Sequence, residues 1–439
     1  MRMNISSLPC RLLLLPLCAA LAVPLLFARV VGQNWPAQSL TRERIAQLPV
    51  AERKAWLDYL SRSEQQRQID KDALAAELKS AGLRAPLEPA HGHSAKSIPM
   101  DRDAAWYGSA EARRIAAIIV SFQTPAGGWG KNLDMSVEMR KPGMAWGPNN
   151  LNRYPTPLDF DAPREPGWNY IGTIDNDATT TELNYLARVI SAGARETSYR
   201  AAFFHGIEYL LHAQYPNGGW PQVWPLEGGY HDAITFNDDA MTQVVELLRQ
   251  TAQGEGDFQF VPQELRHKAQ AAFERGVHCI LIAQLHDRTG LTIWPQQSDA
   301  LTLQPTSARN YELPTPCPSE STGILLLLMN DFPHPAAEVR QAIRAGMAYL
   351  KKTEIYGKSY TWGAAGRMLV DAPGAGPIWA RYSDPESGSP VFGDRDKKIY
   401  DNVNEISRER RNGYGWYSDE PLRAEERFAA WSKEHPEKP

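Results

Sequence analysis

Gln123-Thr-Pro-Ala-Gly-Gly-Trp129-Gly-Lys-Asn132 follows a strongly helical run, and its pattern returns twice further along the chain. The second copy, Gln214-Tyr-Pro-Asn-Gly-Gly-Trp220-Pro-Gln222, comes after a helical run over 203–213. A degenerate third, Gln284-Leu-His-Asp-Arg-Thr-Gly290-Leu-Thr-Ile-Trp294, comes after one over 272–283. Spacings of 91 and 70 residues mark an internal repeat. Each unit reads as helix, glutamine, glycine turn, tryptophan. Glycine permits the backbone of such a turn, and the tryptophan packs across helix ends. No strand signal of matching period accompanies the repeat. These features predict a mainly α fold: an α/α toroid (an incomplete α/α barrel) with irregular loops and short β-strands lining a cleft. The Gln–Gly–Trp phrases themselves read as ties between helices, and the rim of turns is where chemistry is expected.

Two oxygen-rich tracts sit on that rim. Asp175-Asn176-Asp177 precedes Leu183, Leu186, Ala187 and Ile190, and Asn237-Asp238-Asp239 precedes Met241, Val244, Val245 and Leu248. Both apolar sets have the spacing of one helix face. Asp and Asn accept the free amide protons of a first turn, so each tract alone reads as an N-cap. A cap needs only one such residue, whereas the two tracts hold six between them. Carboxylates that close repel one another unless they share a cation or a proton. A hard divalent ion with oxygen ligands, calcium before magnesium, is the sharper reading.

The 439 residues suffice for one large domain or two ordinary ones. Apolar content of 43%, charged content of 22% and a net charge of −4 fit a globular protein and give no sign of nucleic acid. An acidic substrate would have to be attracted by a local cluster of Arg and Lys. The 13 Trp and 17 Tyr make carbohydrate a reasonable early reading, since aromatic rings in an open cleft stack on sugars. Residues 1–32 read as a secretory signal, with Arg2 and Arg11 before the apolar run Leu12–Phe27 and small residues at Ala28 and Gly32. That run is broken by Pro16 and Pro24 and falls short of the roughly 20 residues of a membrane span. A secreted or periplasmic protein with no membrane attachment in its mature form is expected. Residues 33–100 read as a helical extension and linker, 101–422 as the main domain, and 423–439 as a charged, frayed tail. Cys279 reads as a buried thiol, and a disulfide with Cys317 stays open. The final third, rich in Gly and Pro, predicts short strands and long loops.

From about Trp106 to Tyr417 the chain resembles the family 10 polysaccharide lyases, which are calcium-dependent pectate lyases. The phrases that carry the resemblance are Gly-Gly-Trp-Gly-Lys-Asn-Leu-Asp (127–134), Thr-Ile-Asp-Asn-Asp-Ala-Thr-Thr-Thr-Glu (173–182) and Asn-Gly-Gly-Trp-Pro-Gln (217–222). Further on come Ile-Thr-Phe-Asn-Asp-Asp-Ala-Met (234–241), Ala-Arg-Asn-Tyr-Glu (308–312), Trp-Ala-Arg (379–381) and Arg-Arg-Asn-Gly-Tyr-Gly-Trp-Tyr (410–417). The resemblance implies an α/α toroid, a calcium ion between protein and uronate, and an arginine base. Carried onto this sequence, Arg309 and Asp175 are the expected catalytic residues. Asp175, Asp177, Asp238 and Asp239 are the expected Ca2+ ligands, and Arg381, Lys131, Asn176, Trp220, Tyr311 and Arg395 the expected substrate contacts. Asp177 stands where the family commonly has glycine, and Pro295-Gln-Gln-Ser298 replaces the usual Cys-Ala-Gln-His.

The activity so implied is calcium-assisted β-elimination of α-1,4-polygalacturonate by a monomeric enzyme, giving 4,5-unsaturated oligogalacturonates. A cation on the uronate carboxylate would stabilise the charge that develops when the neighbouring C5 proton leaves. Arginine is an awkward base, because guanidinium stays protonated below about pH 12. The alternative role for Arg309 is a clamp on a substrate carboxylate. Two other classes remain open: a terpenoid cyclase-like α/α barrel, in which Gln–Gly–Trp phrases also recur, and a non-catalytic carbohydrate-binding protein. Fold alone does not separate them.

Overall fold

A computed structural model describes residues 29–148, 159–162 and 171–436. Most of the expected signal segment, residues 1–28, lies outside the described residues. Val30–Gln33, which overlaps the end of that segment, forms a strand against Lys398–Tyr400, which in turn pairs with Phe392–Gly393.

The long helices are α1 (Val50–Ala81), α2 (Ala110–Ser121), α3 (Thr180–Ser191), α4 (Thr197–Ala213) and α5 (Ala240–Gln253). They continue with α6 (Gln263–Ile282), α7 (Pro318–Asp331), α8 (Ala337–Lys352) and α9 (Pro421–Glu434). Helices α3, α5 and α7 stand next to one another in a row, and α4, α6 and α8 form a second row packed on it. The first row is the inner one: Leu183, Leu186, Val189, Val244, Val245, Leu248, Ile324, Leu325 and Leu328 are all buried. Ser109 caps α2 as its sequence predicts, accepting from the Ala112 amide at 3.1 Å. The toroid expectation is met in part. About half the chain is helical and the strands are short, and among the described residues these elements close no barrel.

The repeat is a set of hydrogen bonds. Gln123 Nε2 donates to the carbonyls of Gly127 and Ala202, Gln214 Nε2 to those of Gly218 and Ala272, and Gln284 Nε2 to those of Thr292 and Ala342, all within 2.8–3.0 Å. Each glutamine thus closes its own turn and fastens it to the next outer helix. The indole N–H groups of Trp129, Trp220 and Trp294 reach back to the carbonyls of Ile119, Leu210 and Ile280, at 2.7, 2.8 and 2.6 Å. Trp379 makes a fourth such tie, to the Leu350 carbonyl at 2.8 Å. Gly218, at φ +95°, would place a Cβ 2.1 Å from the Arg275 carbonyl oxygen, so this turn accepts only glycine.

The 33–100 segment is helical as expected, and its apolar anchors pack on the main domain; the expectation for the C-terminal tail is corrected. In α1, Trp56, Tyr59, Leu60 and Leu74 are buried, and the Tyr59 hydroxyl donates to the Ala213 carbonyl at 3.0 Å. The expected linker adds bridges Leu87–Met144 and His91–Leu133. The expected frayed tail is α9: Ala424, Phe428 and Trp431 make an i, i+4, i+7 stripe against α7 and α8. Its charged outer face hid that stripe. Among the described residues no helix is long and apolar enough to cross a membrane, and Cys279 and Cys317 are buried free thiols.

Candidate active site

The site lies at the N-terminal ends of the inner helices. Asp175–Asp177 leads into α3, Asn237–Asp239 leads into α5, and Glu320 is in the first turn of α7. The N-cap reading of the two tracts fails: neither α3 nor α5 has a side-chain cap hydrogen bond. The backbone turns left-handed at Asn176, Asp177, Thr179, Asp238 and Asp239, with φ between 51° and 66°. That conformation aims the carboxylates away from the helix amides. It is also why glycine suits position 177, where φ is 62°. Thr179, strained as a β-branched residue at φ 66°, is held by its hydroxyl, which donates to the Thr173 carbonyl and accepts from the Trp129 amide.

A cavity of about 110 Å³ is lined by Lys131, Asp175, Asn176, Gln222, Tyr230, Asn237, Asp238, Gln296, Gln297, Ala308, Arg309 and Glu312. Lys131 Nζ lies 2.5 Å from Asp175 Oδ2. Burial opposes the Asp175 charge, but Lys131 and Arg309 hold its carboxyl below the usual range. Asn237 Nδ2 links the tracts, donating to Asp238 Oδ2 at 2.8 Å and Asp175 Oδ1 at 3.3 Å. Asp238 feels Arg381, but more weakly than its burial. Burial, with the charges of Asp175 and Glu320, pushes it up to about 6.

Arg309 comes from the loop before α7 and makes three bonds to Glu312. Its amide and Nε each donate to Oε2 at 2.9 Å, and Nη2 donates to Oε1 at 2.5 Å. The Tyr414 hydroxyl adds a fourth at 3.0 Å. Glu312 is enclosed, yet Arg309 outweighs its burial and brings it down to about 2. Burial works against the Arg309 cation, but the Glu312 charge holds its proton well above the ordinary guanidinium range. Arg381 Nη2 is paired with Glu320 Oε1, and its guanidinium lies over the Tyr414 ring at 4.8 Å.

Lys131, Asp175, Asn176, Asp238 and Arg309 are thus brought together, and Arg381 stands directly behind them. The other expected residues are not. Trp220 is fully buried between helices, where its ring touches Gly276; it ties the repeat and has no face left for a sugar. Tyr311 is buried too, under the guanidinium groups of Arg309, Arg395 and Arg410 at 5.1, 5.0 and 4.3 Å. Arg395 leans on that ring and on Glu409 at 3.4 Å rather than on the cavity. Asp177 accepts from Gln243, and Asp239 lines a separate cleft with Gln243, Glu246 and Gly323. Neighbouring carboxylates in a left-handed turn splay apart, so each tract sends one inward and one outward. Sequence reading missed Glu312, Glu320, Tyr414, Tyr230 and Gln296. Only Glu312 carried a signal, as the opposite charge three residues after Arg309.

Two cations and three carboxylates line the cavity, leaving one negative charge in excess. Among the described residues no group of three His, Cys, Asp or Glu side chains is placed to hold a metal. Calcium takes 6–8 oxygen ligands. Asp175 and Asp238, with amide oxygens beside them, therefore suit an ion shared with water and an acidic ligand, and do not form a closed cage.

The comparisons with known proteins place this arrangement of helical rows and a carboxylate-and-arginine cleft among the polysaccharide lyases. The family model described as pectic acid lyase matches residues 123–423. A family 10 polysaccharide lyase from Cellvibrio cellulosa is 31% identical over 77% of this chain and 98% of its own, with a TM-score of 0.63. An alanine mutant of a family 10 lyase from the same organism, solved with trigalacturonic acid, is 30% identical over 78% of this chain and 98% of its own, with a TM-score of 0.63. No curated protein matches the chain. The chain belongs to the pectic acid lyase family.

Proposed function

We propose that the protein is a secreted or periplasmic pectate lyase that cleaves α-1,4-polygalacturonate by calcium-assisted β-elimination. The observation that carries this reading is the joint placement of Arg309, Lys131, Asp175 and Asp238 around one cavity in a chain of this family. An anionic polymer would not enter a cavity with excess negative charge unless a cation came with it. Asp175 and Asp238 would hold that ion, and the crystallised relative binds trigalacturonic acid. Bound there, calcium supplies charge neutralisation at the uronate carboxylate.

In the reaction a base takes the C5 proton, the C5–H electron pair forms the C4–C5 double bond, and the C4–oxygen bond breaks, the oxygen taking a proton from water to leave as a hydroxyl. Negative charge builds on the carboxylate side of C5. Arg309 and Lys131 are fixed donors that meet this charge without reorganising. With Glu312 in place Arg309 is a proton-saturated cation and serves as a clamp on that charge. To take the C5 proton itself, it must first part from Glu312 and lose a proton to solvent; as a clamp it leaves the C5 proton to water or hydroxide. The secretory reading of residues 1–32 accords with a polymer too large to enter a cell.

Incubation of the mature protein with polygalacturonate tests the proposal. Ultraviolet absorbance of the unsaturated product should rise, and a chelator should stop it. No rise with calcium present refutes the lyase reading, while a rise indifferent to chelator refutes the ion.

A further inference from the structure

We propose that Asn34, on an N-terminal arm outside the residues matched by the family model, is a positioning residue that locks the turn carrying Arg309 into its working geometry. The inference rests on the lyase reading above. Asn34 is buried. Its side-chain amide donates to the carbonyls of Asn310 at 3.1 Å and Glu312 at 2.8 Å, with the Arg309 carbonyl at 3.5 Å. Its Oδ1 accepts from the Trp35 amide at 3.1 Å. Asparagine has two amide hydrogens, and both are taken up by these backbone carbonyls. Without it the Asn310 and Glu312 carbonyls would lose their donor inside the protein, a costly state for any buried polar group.

The rest of the arm makes this contact rigid. The Asn34 amide donates to the Lys397 carbonyl at 2.7 Å. The Ser307 hydroxyl donates to the Trp35 carbonyl. Further on, Ser39 Oγ accepts from the Gly229 amide at 2.7 Å, and the Leu40 amide donates to Asp232 Oδ2 at 2.9 Å. The arm thus staples two loops that face the cavity, one through Ser307 to Glu312 and one through Gly229 to Asp232 around Tyr230. Asn34 sits at the midpoint, under the turn whose two ends are the Arg309–Glu312 pair. That turn closes with its own bond, from the Glu312 amide to the Arg309 carbonyl at 2.9 Å. Releasing its carbonyls would let Arg309 drift while leaving Lys131, Asp175 and Asp238 in place. Misplacement by about 1 Å costs turnover on the order of 100-fold.

The test compares Asn34→Ala with Asn404→Ala, a variant that removes two hydrogen bonds to the Leu369 backbone (N and O, both 2.9 Å), in a hairpin, Lys358–Asp371, none of whose residues lines the cavity. The expected result is that Asn34→Ala lowers kcat on polygalacturonate about 100-fold with KM nearly unchanged, while Asn404→Ala keeps wild-type kcat. Hydrogen exchange should speed up at the Glu312 amide in Asn34→Ala and stay unchanged in Asn404→Ala. Equal kcat losses in the two variants, or unaltered exchange at Glu312, overturn the proposal. If the wild type gives no unsaturated product, the lyase reading has failed, and exchange at Glu312 alone still decides whether Asn34 locks the turn.

Discussion

Glu312→Gln isolates the charge that holds Arg309. The substitution keeps the size of the side chain and removes its negative charge from a site where that charge accepts three bonds from Arg309 and one from Tyr414. Glu312 is held at about 2 against the usual 4.5. At about 1.36 kcal/mol per pH unit, that gap of roughly 2.5 units corresponds to about 3 kcal/mol of stability at neutral pH. Its side chain is only 3% exposed, so solvent screening removes little of this. Because the folded-state pKa is depressed, the contribution is full above about 4.5 and fades as pH falls toward about 2. Urea unfolding at neutral pH should therefore show the variant weaker by about 3 kcal/mol, with the gap narrowing below about pH 4. The same variant asks how Arg309 works. If Arg309 gives up its proton, loss of Glu312 moves the pH–rate profile to lower pH. If it acts only as a cation, the rate changes and the profile does not. Equal stability of variant and wild type at neutral pH would refute the pair.

Three further outcomes follow from the structure. Asp70 is buried in α1 with one oxygen accepting from Gln66 at 2.8 Å and the other without a donor among the described residues, and burial raises it to about 7. It is stable protonated and loses stability as pH rises through about 7, so Asp70→Asn should raise the neutral-pH unfolding free energy, by at most about 4 kcal/mol; a lower value contradicts the burial. Gly218→Ala, which meets the Arg275 carbonyl, should cost about 2 kcal/mol or more by thermal melting, and a neutral result would place the turn elsewhere. Calorimetric calcium titration in the presence of trigalacturonate should show weakened binding for Asp238→Asn and unchanged binding for Asp239→Asn; the reverse would move the ion to the outer cleft.

Much of the fold is written locally. Each Gln–Gly–Trp phrase holds its helix, turn and tie within a short window, so periodicity and glycine are enough to find it. Trp379 escaped because the hairpin Lys358–Asp371 separates it from the helix end it binds. The tracts at 175–177 and 237–239 marked the site, but which carboxylate faces inward depends on φ, and residue type does not fix φ for Asp or Asn. Residue type alone therefore groups Asp177 and Asp239 with Asp175 and Asp238. Trp220 enters as a substrate contact only through the resemblance, and its place in the repeat, packed across helix ends, is the reading its position fits. The partners of the arginines, Glu312 and Glu320, and the arm at Asn34 depend on contacts between distant segments. Charge at one position does not name its partner far along the chain, and a polar residue before a helix gives no sign that it plugs a turn some 275 residues away.

The mass of the products formed from polygalacturonate with calcium present tests the chemistry most directly. Elimination leaves each new non-reducing end one water lighter than hydrolysis would. Products lighter by one water, lost when Asp175 is changed to Ala, are the predicted result. Fragments of full hydrolytic mass, or unaltered polymer, would contradict it.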